Sequence, residues 1–259
     1  MVRLASSKQF AGGRIMTFQT LKDPTEIQAA RDRLAAEGLL PSRWIGGPRR
    51  WLTHLLRARR LPPPPDVRKS WDLDLILRAI QDREAPMEVV LDLGAYNSAI
   101  LPALVKLGYR NLAGVDLNPQ VRRGPHRRTI RYLVGDIYQL PLDDASCDVV
   151  TAISTIEHGW RGGSFFDEVA RVLRPGGILL ASTDFWPDKI DTSSRTFFGM
   201  SWTIFSKDEI RGLIERAAEA GLVAEGPEDY ATGEPVIHWN DCDYTFGFLR
   251  LRKAAGPGP

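Results

Sequence analysis

Three aspartates stand where short apolar runs give out. Asp92 follows Val89 to Leu91, Asp116 closes the run that begins at Asn111, and Asp136 follows Gly135. A carboxylate in such a place can cap its own loop. It can also accept charge-assisted hydrogen bonds from a ligand's hydroxyl or amino groups, worth about 1.5–3 kcal/mol each. Three acids at successive strand ends favour the ligand reading. Gly94 lets the chain turn and lets backbone approach a ligand with no Cβ in the way. Ser98 is placed to cap a helix that runs to about Leu107 and stops at Gly108. Strand, polar turn and helix make the first half of a β-α-β unit, which sets a ligand over the strand's carboxyl end. Asp116 lies at the acid-to-motif spacing of a nucleotide-type fold.

The elements that must position these residues alternate along the chain. Strands are predicted at 88–92, 111–116, 129–134, 147–153 and 177–183, then near 222–225 and over Tyr244 to Leu251. Helices are predicted from Asp23-Pro24 to Gly38, from a Ser70 cap to about Ile80, over 164–173 with Ser164 as cap, and from a Ser206 cap to Gly221. This order implies an α/β fold: a mostly parallel sheet, helices on both faces and a late antiparallel strand.

With 259 residues and a formal charge of +2, the chain can bury a large core and makes no global case for nucleic acid. Cys147 and Cys242 match no metal-ligand spacing and suggest a reducing, cytoplasmic setting. No apolar run reaches the length of a membrane span. Residues 1–15 lack a signal peptide's apolar core and read as a leader or extension before Met16. Residues 16–69 read as a basic helical extension with Arg43, Arg49, Arg50, Arg57, Arg59, Arg60, Arg68 and Lys69, interleaved by Trp44 and Trp51 and interrupted by Pro62 to Pro65. This segment is either a lid for an anionic substrate or membrane surface, or an amphipathic helix packing Trp51, Leu52, Leu55 and Leu56 on the main domain; the second is favoured. The main domain is placed at 70–253, and 254–259 is a frayed tail.

The pieces Val-Leu-Asp-Leu-Gly (90–94), Gly-Val-Asp-Leu (114–117), Gly-Asp-Ile (135–137), Leu-Pro-Leu (140–142) and Ser-Cys-Asp-Val-Val (146–150) stand in order. Ile-Glu-His (156–158) and Val-Leu-Arg-Pro-Gly-Gly (172–177) follow them. No piece is specific alone, but seven in register closely resemble the class I S-adenosylmethionine-dependent methyltransferases over roughly residues 87 to 253. The resemblance implies a Rossmann-like, doubly wound, seven-stranded sheet. It implies S-adenosyl-L-methionine as cofactor and S-adenosyl-L-homocysteine as product. Asp92 then matches the acid near the methionine portion, Asp116 the acid on the ribose hydroxyls, and Asp136 with Ile137 the adenine contacts. The remaining residues assigned to the cofactor are Gly94, Ala95, Tyr96, Asn97, Ser98, Leu117 and Ser154. One departure is plain: Tyr96 and Ser98 occupy positions where the family has further glycines. Asn97 or Ala95 must then carry the bend, with Tyr96 covering the cofactor or blocking it.

The fourth strand ends at Ile153-Ser-Thr-Ile-Glu-His158, on the rim where the family places the acceptor. His158 is the first candidate for a general base, against a packing or capping histidine; Asp184 and His238 are the others. Some relatives place metal ligands here, and Glu157, His158 and His238 would be the set, but Ser154 stands where a further glutamate is expected. Metal dependence is therefore not favoured, and activity surviving exhaustive chelation would dispose of it. Trp186, Trp202 and Trp239 suit stacking on a sugar or aromatic ring, or an apolar cap over the sheet. The favoured function is O-methylation of a small molecule, a sugar, glycan or natural product, in bacterial biosynthesis. RNA methylation through the basic segment and a non-catalytic binding module of the same fold rank second and third.

Overall fold

The structure, a computed structural model, describes residues 15–40, 66–82 and 88–255. The expected Trp51 helix, the proline run, all the basic residues from Arg43 to Arg60, almost all of the leader and the last four residues of the tail lie outside the described residues.

The sheet is built from β1 (Phe18–Thr20), β2 (Val89–Leu93), β3 (Asn111–Asp116), β4 (Ile130–Val134), β5 (Cys147–Ile153) and β6 (Leu173–Phe185). After the short pair β7 (Thr196–Phe197) and β8 (Met200–Ser201) come β9 (Leu222–Ala224), β10 (Ile237–Trp239) and β11 (Cys242–Lys253). The helices are α1 (Pro24–Ala36), α2 (Ser70–Gln81), α3 (Ile100–Lys106), α4 (Ser164–Val172) and α5 (Lys207–Glu219).

The strand order is β1-β11-β6-β5-β2-β3-β4, with β9 and β10 also paired to β11. β2 to β6 are parallel, and every pairing made by β11 is antiparallel. The chain therefore winds outward from β2 through β3 to β4, then returns to β5 on the other side. That reversal opens a crevice at the carboxyl ends of β2 and β5, the place where ligands bind in such sheets.

The near-continuous apolar strands follow from burial on both faces. In β2, Val90 joins the layer containing Leu73, Ile76, Ile100 and Leu104 from α2 and α3, whereas Leu91 and Leu93 join Phe165, Phe166 and Ile210 from α4 and α5. The period of two in a strand sends alternate side chains to opposite layers. Asp23 and Ser206 cap α1 and α5, each completing a capping box with a glutamate, Glu26 or Glu209.

Three caps differ from expectation. α3 starts after Ala99, which makes no side-chain cap bond; Ser98 reaches the Ile100 amide at 3.3 Å and also bonds Asp92. α4 follows Gly163, so Ser164 is its first residue. Ser70 donates to the Val67 carbonyl, and Asp66 caps the 3-10 turn Val67–Lys69 that leads into α2. A further difference is β1, a strand in a region read as helical. It adds to the sheet beyond the seven strands expected, because its neighbour β11 is long enough to pair on both sides.

Candidate functional site

The turn after β2 is fixed by its neighbour. The amides of Gly94 and Ala95 both donate to the Val115 carbonyl, at 2.9 and 3.1 Å. Gly94 sits at φ +70°, and a Cβ there would fall 2.3 Å from the Thr155 hydroxyl oxygen. Asn97, at φ +68°, carries the bend in place of the missing glycines. A short polar residue tolerates that region at small cost.

Bounded by the described residues, a cavity of about 1100 Å³ opens over the carboxyl ends of β2, β3 and β5. Asp92, Gly94, Tyr96, Asn97, Ser98, Asp116, Leu117, Asp136, Ile137, Ser154 and His158 all line it. Ala95 does not: it is buried, and a Cβ at Gly114 would come within 2.7 Å of its own Cβ, so it packs against β3.

Each acid has a distinct setting. Asp92 is buried, accepts from the Thr151 hydroxyl at 2.7 Å through Oδ1, and at Oδ2 has no hydrogen-bond partner among the described residues. Burial pushes its carboxyl up to about 7, the Ser98 and Thr151 hydroxyls pull it part of the way back, and the Asp116 charge adds to the rise. Asp116 accepts from the Tyr96 amide at 2.9 Å and the Asn118 amide at 2.7 Å, so it shapes the turn as well as facing the cavity. Both oxygens of Asp136 accept from Arg161 at 2.5 Å, and the Arg161 guanidinium lies 4.0 Å over the Tyr138 ring. Burial raises the Asp136 carboxyl, but Arg161 and the Tyr138 amide outweigh it and leave it below the usual carboxylate range.

Beyond Ile153 the backbone is strained. Ser154 sits at φ +43°, an uncommon region for a residue with a Cβ, and its amide donates to the Ser182 carbonyl at 3.0 Å. His158 stacks on Phe197 with ring centroids 5.3 Å apart. Its Nδ1 is sealed with no partner among the described residues, so Nε2 is the only ring nitrogen that can reach a ligand. Burial holds the imidazole below its ordinary value; the Asp184 charge opposes this and Lys69 adds to it. The neutral, proton-accepting form therefore prevails at pH 7.

Several expected residues lie elsewhere. Asp184 is buried outside the cavity lining and accepts from the Trp202 indole at 2.8 Å. His238 is exposed on the β10–β11 hairpin, paired with Asp243 at 2.7 Å. Trp186, Trp202 and Trp239 do not line the cavity: Trp186 packs on the core, and Trp202 meets Trp239 edge to face at 5.1 Å. Glu157 is buried and accepts from the Thr183 hydroxyl at 3.4 Å. Among the described residues no group of three His, Cys, Asp or Glu side chains is set to hold a metal ion, so Glu157, His158 and His238 do not form the alternative ligand set. Also among the described residues, no helix is long and apolar enough to cross a membrane.

Phe198 and Lys69 also line the wall, Lys69 having been read from sequence as one cation of the basic segment; Tyr138, Arg161 and Met200 are wall residues that carried no assignment from sequence. Lys69 ion-pairs with the fully buried Asp72 at 3.5 Å, donates to the Ser154 hydroxyl and lies 3.3 Å from the centre of the Phe246 ring. Arg68 pairs with Asp66, so Arg68 and Lys69 are both engaged within the fold.

Four buried carboxyls give a measurable consequence. Burial pushes Asp72 up to about 6, and Asp92, Glu157 and Asp184 up to about 7. Between ordinary carboxyl values and these, the folded chain holds protons that the unfolded chain has released. Stability from these groups is thus greatest at the acid end and is lost as pH rises through about 7. His158, held low, opposes them as one group against four. The ligand-free protein should be less stable at about pH 8 than at about pH 5, by roughly 2 kcal/mol or more. Urea midpoints at the two values check this, and an equal or higher midpoint at the alkaline value contradicts it.

Comparison with known proteins bears on the same region. A family profile described as a methyltransferase domain matches residues 91–181. The chain is 30% identical over 225 residues to the demethylmenaquinone methyltransferase of Corynebacterium glutamicum, covering 74% of this chain and 91% of that protein. It is 42% identical over 88 residues to a probable S-adenosylmethionine-dependent methyltransferase of Mycolicibacterium smegmatis, a match that spans only 32% of each. Among solved structures, geranyl diphosphate C-methyltransferase from Streptomyces coelicolor shares the fold, with a TM-score of 0.55 at 18% identity over 72% of this chain and 81% of that one.

Proposed function

The chain belongs to the class I S-adenosylmethionine-dependent methyltransferases, and on that premise we propose that it transfers a methyl group to an oxygen of a small molecule seated beside His158. The observation that carries this reading is the shared cavity: the acids ending β2 and β3 open into the same space whose wall includes His158. Its volume of about 1100 Å³ exceeds the roughly 300–1,000 Å³ of an ordinary small-ligand site, which suits a cofactor and a modest acceptor together. We assign the activity to residues 70–253 as the catalytic domain.

The walls fit the cofactor. The Asp92 carboxyl, which lines the cavity, suits the ammonium of the methionine portion, and the Gly94 cradle, which a Cβ would fill, suits close backbone approach. Asp116 would take the ribose hydroxyls. Asp136 would take the adenine amino group while sharing its oxygens with Arg161, since a carboxylate has about four acceptor positions. When bound, S-adenosylmethionine supplies an electrophilic methyl group on a sulfonium sulfur. His158 accepts the acceptor's hydroxyl proton at Nε2, and the oxygen keeps the electron pair of the broken O–H bond. Holding that oxygen in line is the other task, and good alignment is worth effective molarities of about 10⁵–10⁸ M.

The acceptor's chemistry rests on this site, since the named relatives act on different molecules. Incubation with methyl-labelled cofactor and a set of phenols and sugars, followed by carbon NMR of the products, tests the reading. The expected product carries its label as an O-methyl ether. Label found only on nitrogen or carbon overturns oxygen as the acceptor atom.

A further inference from the structure

The acceptor end of the cavity combines two features that the cofactor does not use. The first is Lys69. Its ammonium lies against Ser154 at the strained end of β5, so it stands at the same rim as His158. The second is Phe198, which sits in the tight turn between β7 and β8 at φ +53° and is 78% exposed at the cavity wall. A bulky residue in that region of backbone space is strained, and such outliers point to function. Its ring meets His158 edge-on at 5.7 Å and Phe197 at 4.2 Å. Met200, on the same hairpin, adds a second apolar side chain to the cavity wall.

We propose that the acceptor is an aromatic hydroxyl compound, its ring laid on Phe198 and Met200 and its ionised oxygen held by Lys69. The inference rests on the O-methyltransferase reading above and narrows its acceptor class. The phenolic O–H bond breaks with the proton passing to His158, the oxygen keeps the electron pair, and the Lys69 ammonium offsets the charge. A largely covered ammonium favours the anion of a neighbouring hydroxyl. Of the acids facing Lys69, Asp66 is engaged by Arg68, and Glu157 and Asp184 are buried groups pushed up to about 7, protonated at pH 6; Asp72 shares the ammonium at 3.5 Å, from the side of α2. An aliphatic sugar hydroxyl has neither the flat apolar face for Phe198 nor the acidity to ionise beside Lys69.

The test uses 4-nitrophenol, whose anion absorbs visible light and whose neutral form does not. The full chain is first saturated with S-adenosylhomocysteine, followed by calorimetry, and the probe is then added at about pH 6. The expected result is an ionised-to-neutral ratio for bound probe at least about tenfold above that of free probe, a pKa lowered by one unit or more. Lys69→Met should abolish this rise while leaving homocysteine-product affinity unchanged. Because that variant strands Asp72, the pair Lys69→Met with Asp72→Asn is the matched control that removes both charges together. Phe198→Asn suits the positive φ, so its Tm should hold or rise while probe affinity falls about tenfold. S-adenosylhomocysteine binding with no rise in the visible band, or a rise that survives both Lys69 variants, overturns the phenol proposal and leaves the cofactor pocket standing. Failure of S-adenosylhomocysteine to bind overturns the methyltransferase pocket itself, and this proposal with it.

Discussion

His158→Ala should lower kcat by about 10²–10⁴-fold, the worth of a positioned general base. Affinity for S-adenosylhomocysteine should change little, because the acids proposed to hold the cofactor stand on β2, β3 and the loop after β4. His158 is well suited to the role. Its ring is half-buried, stacked on Phe197, and sealed at Nδ1. The direction of its shift fixes the sign of the pH effect. A base works when unprotonated, and burial holds this imidazole below its ordinary 6.5. The acid limb of kcat should therefore fall below that value in the native enzyme and vanish in His158→Ala. A merely packing histidine would leave kcat within about threefold in a volume-matched His158→Gln variant, and single-turnover kinetics of the two variants decide between the roles.

Asp116→Ala should weaken cofactor binding at least about tenfold. Two charge-assisted bonds to ribose hydroxyls, at about 1.5–3 kcal/mol each, place the loss nearer 10²–10⁴-fold. The structure adds a second component. Asp116 also receives the Tyr96 and Asn118 amides, so its removal loosens the turn that carries Tyr96 and Asn97. Asp116→Asn separates the two contributions: its side-chain oxygen can still accept one amide, but the charge is gone. Calorimetry should therefore rank the variants as native, then asparagine, then alanine. An unchanged dissociation constant in the alanine variant removes Asp116 from the cofactor site.

Much of this cavity was legible from residue order. The acids after β2, β3 and β4 and the glycine at 94 mark strand ends by type alone, and the parallel sheet follows from alternation. Asn97 was one of two positions available for the bend, and the other, Ala95, is packed on Gly114. The rest depended on distance in sequence. Lys69 counts in the chain as one more cation of a basic stretch, yet it turns inward because Asp72 needs a counter-charge. That demand was readable in principle: Asp72 falls on the same helical stripe as Ile76 and Ile80, which are buried. An acid on an apolar stripe asks for a cation one turn away. The three tryptophans misled for the opposite reason. Large amphipathic rings suit a ligand or a core equally, and only the packing of Trp202 on Trp239 and Tyr244 decides it. Arg161 and Phe198 lie in loops with no periodicity to reveal where they fold back.

The pairing of Phe18–Thr20 with Gly247–Leu249 has a further meaning for how the molecule is made. A ribosome delivers the first of these segments long before the second. Until the closing residues emerge, β6 has no partner on its outer side and the opening strand has nowhere to dock. From the emergence of β6 until β11 follows, the nascent protein thus carries an open, sticky margin, a state that invites association with other chains. Docking of β11 covers the outer side of β6 and gives β1 its partner in a single event, so a truncation that removes β11 would leave the cavity on an unfinished scaffold.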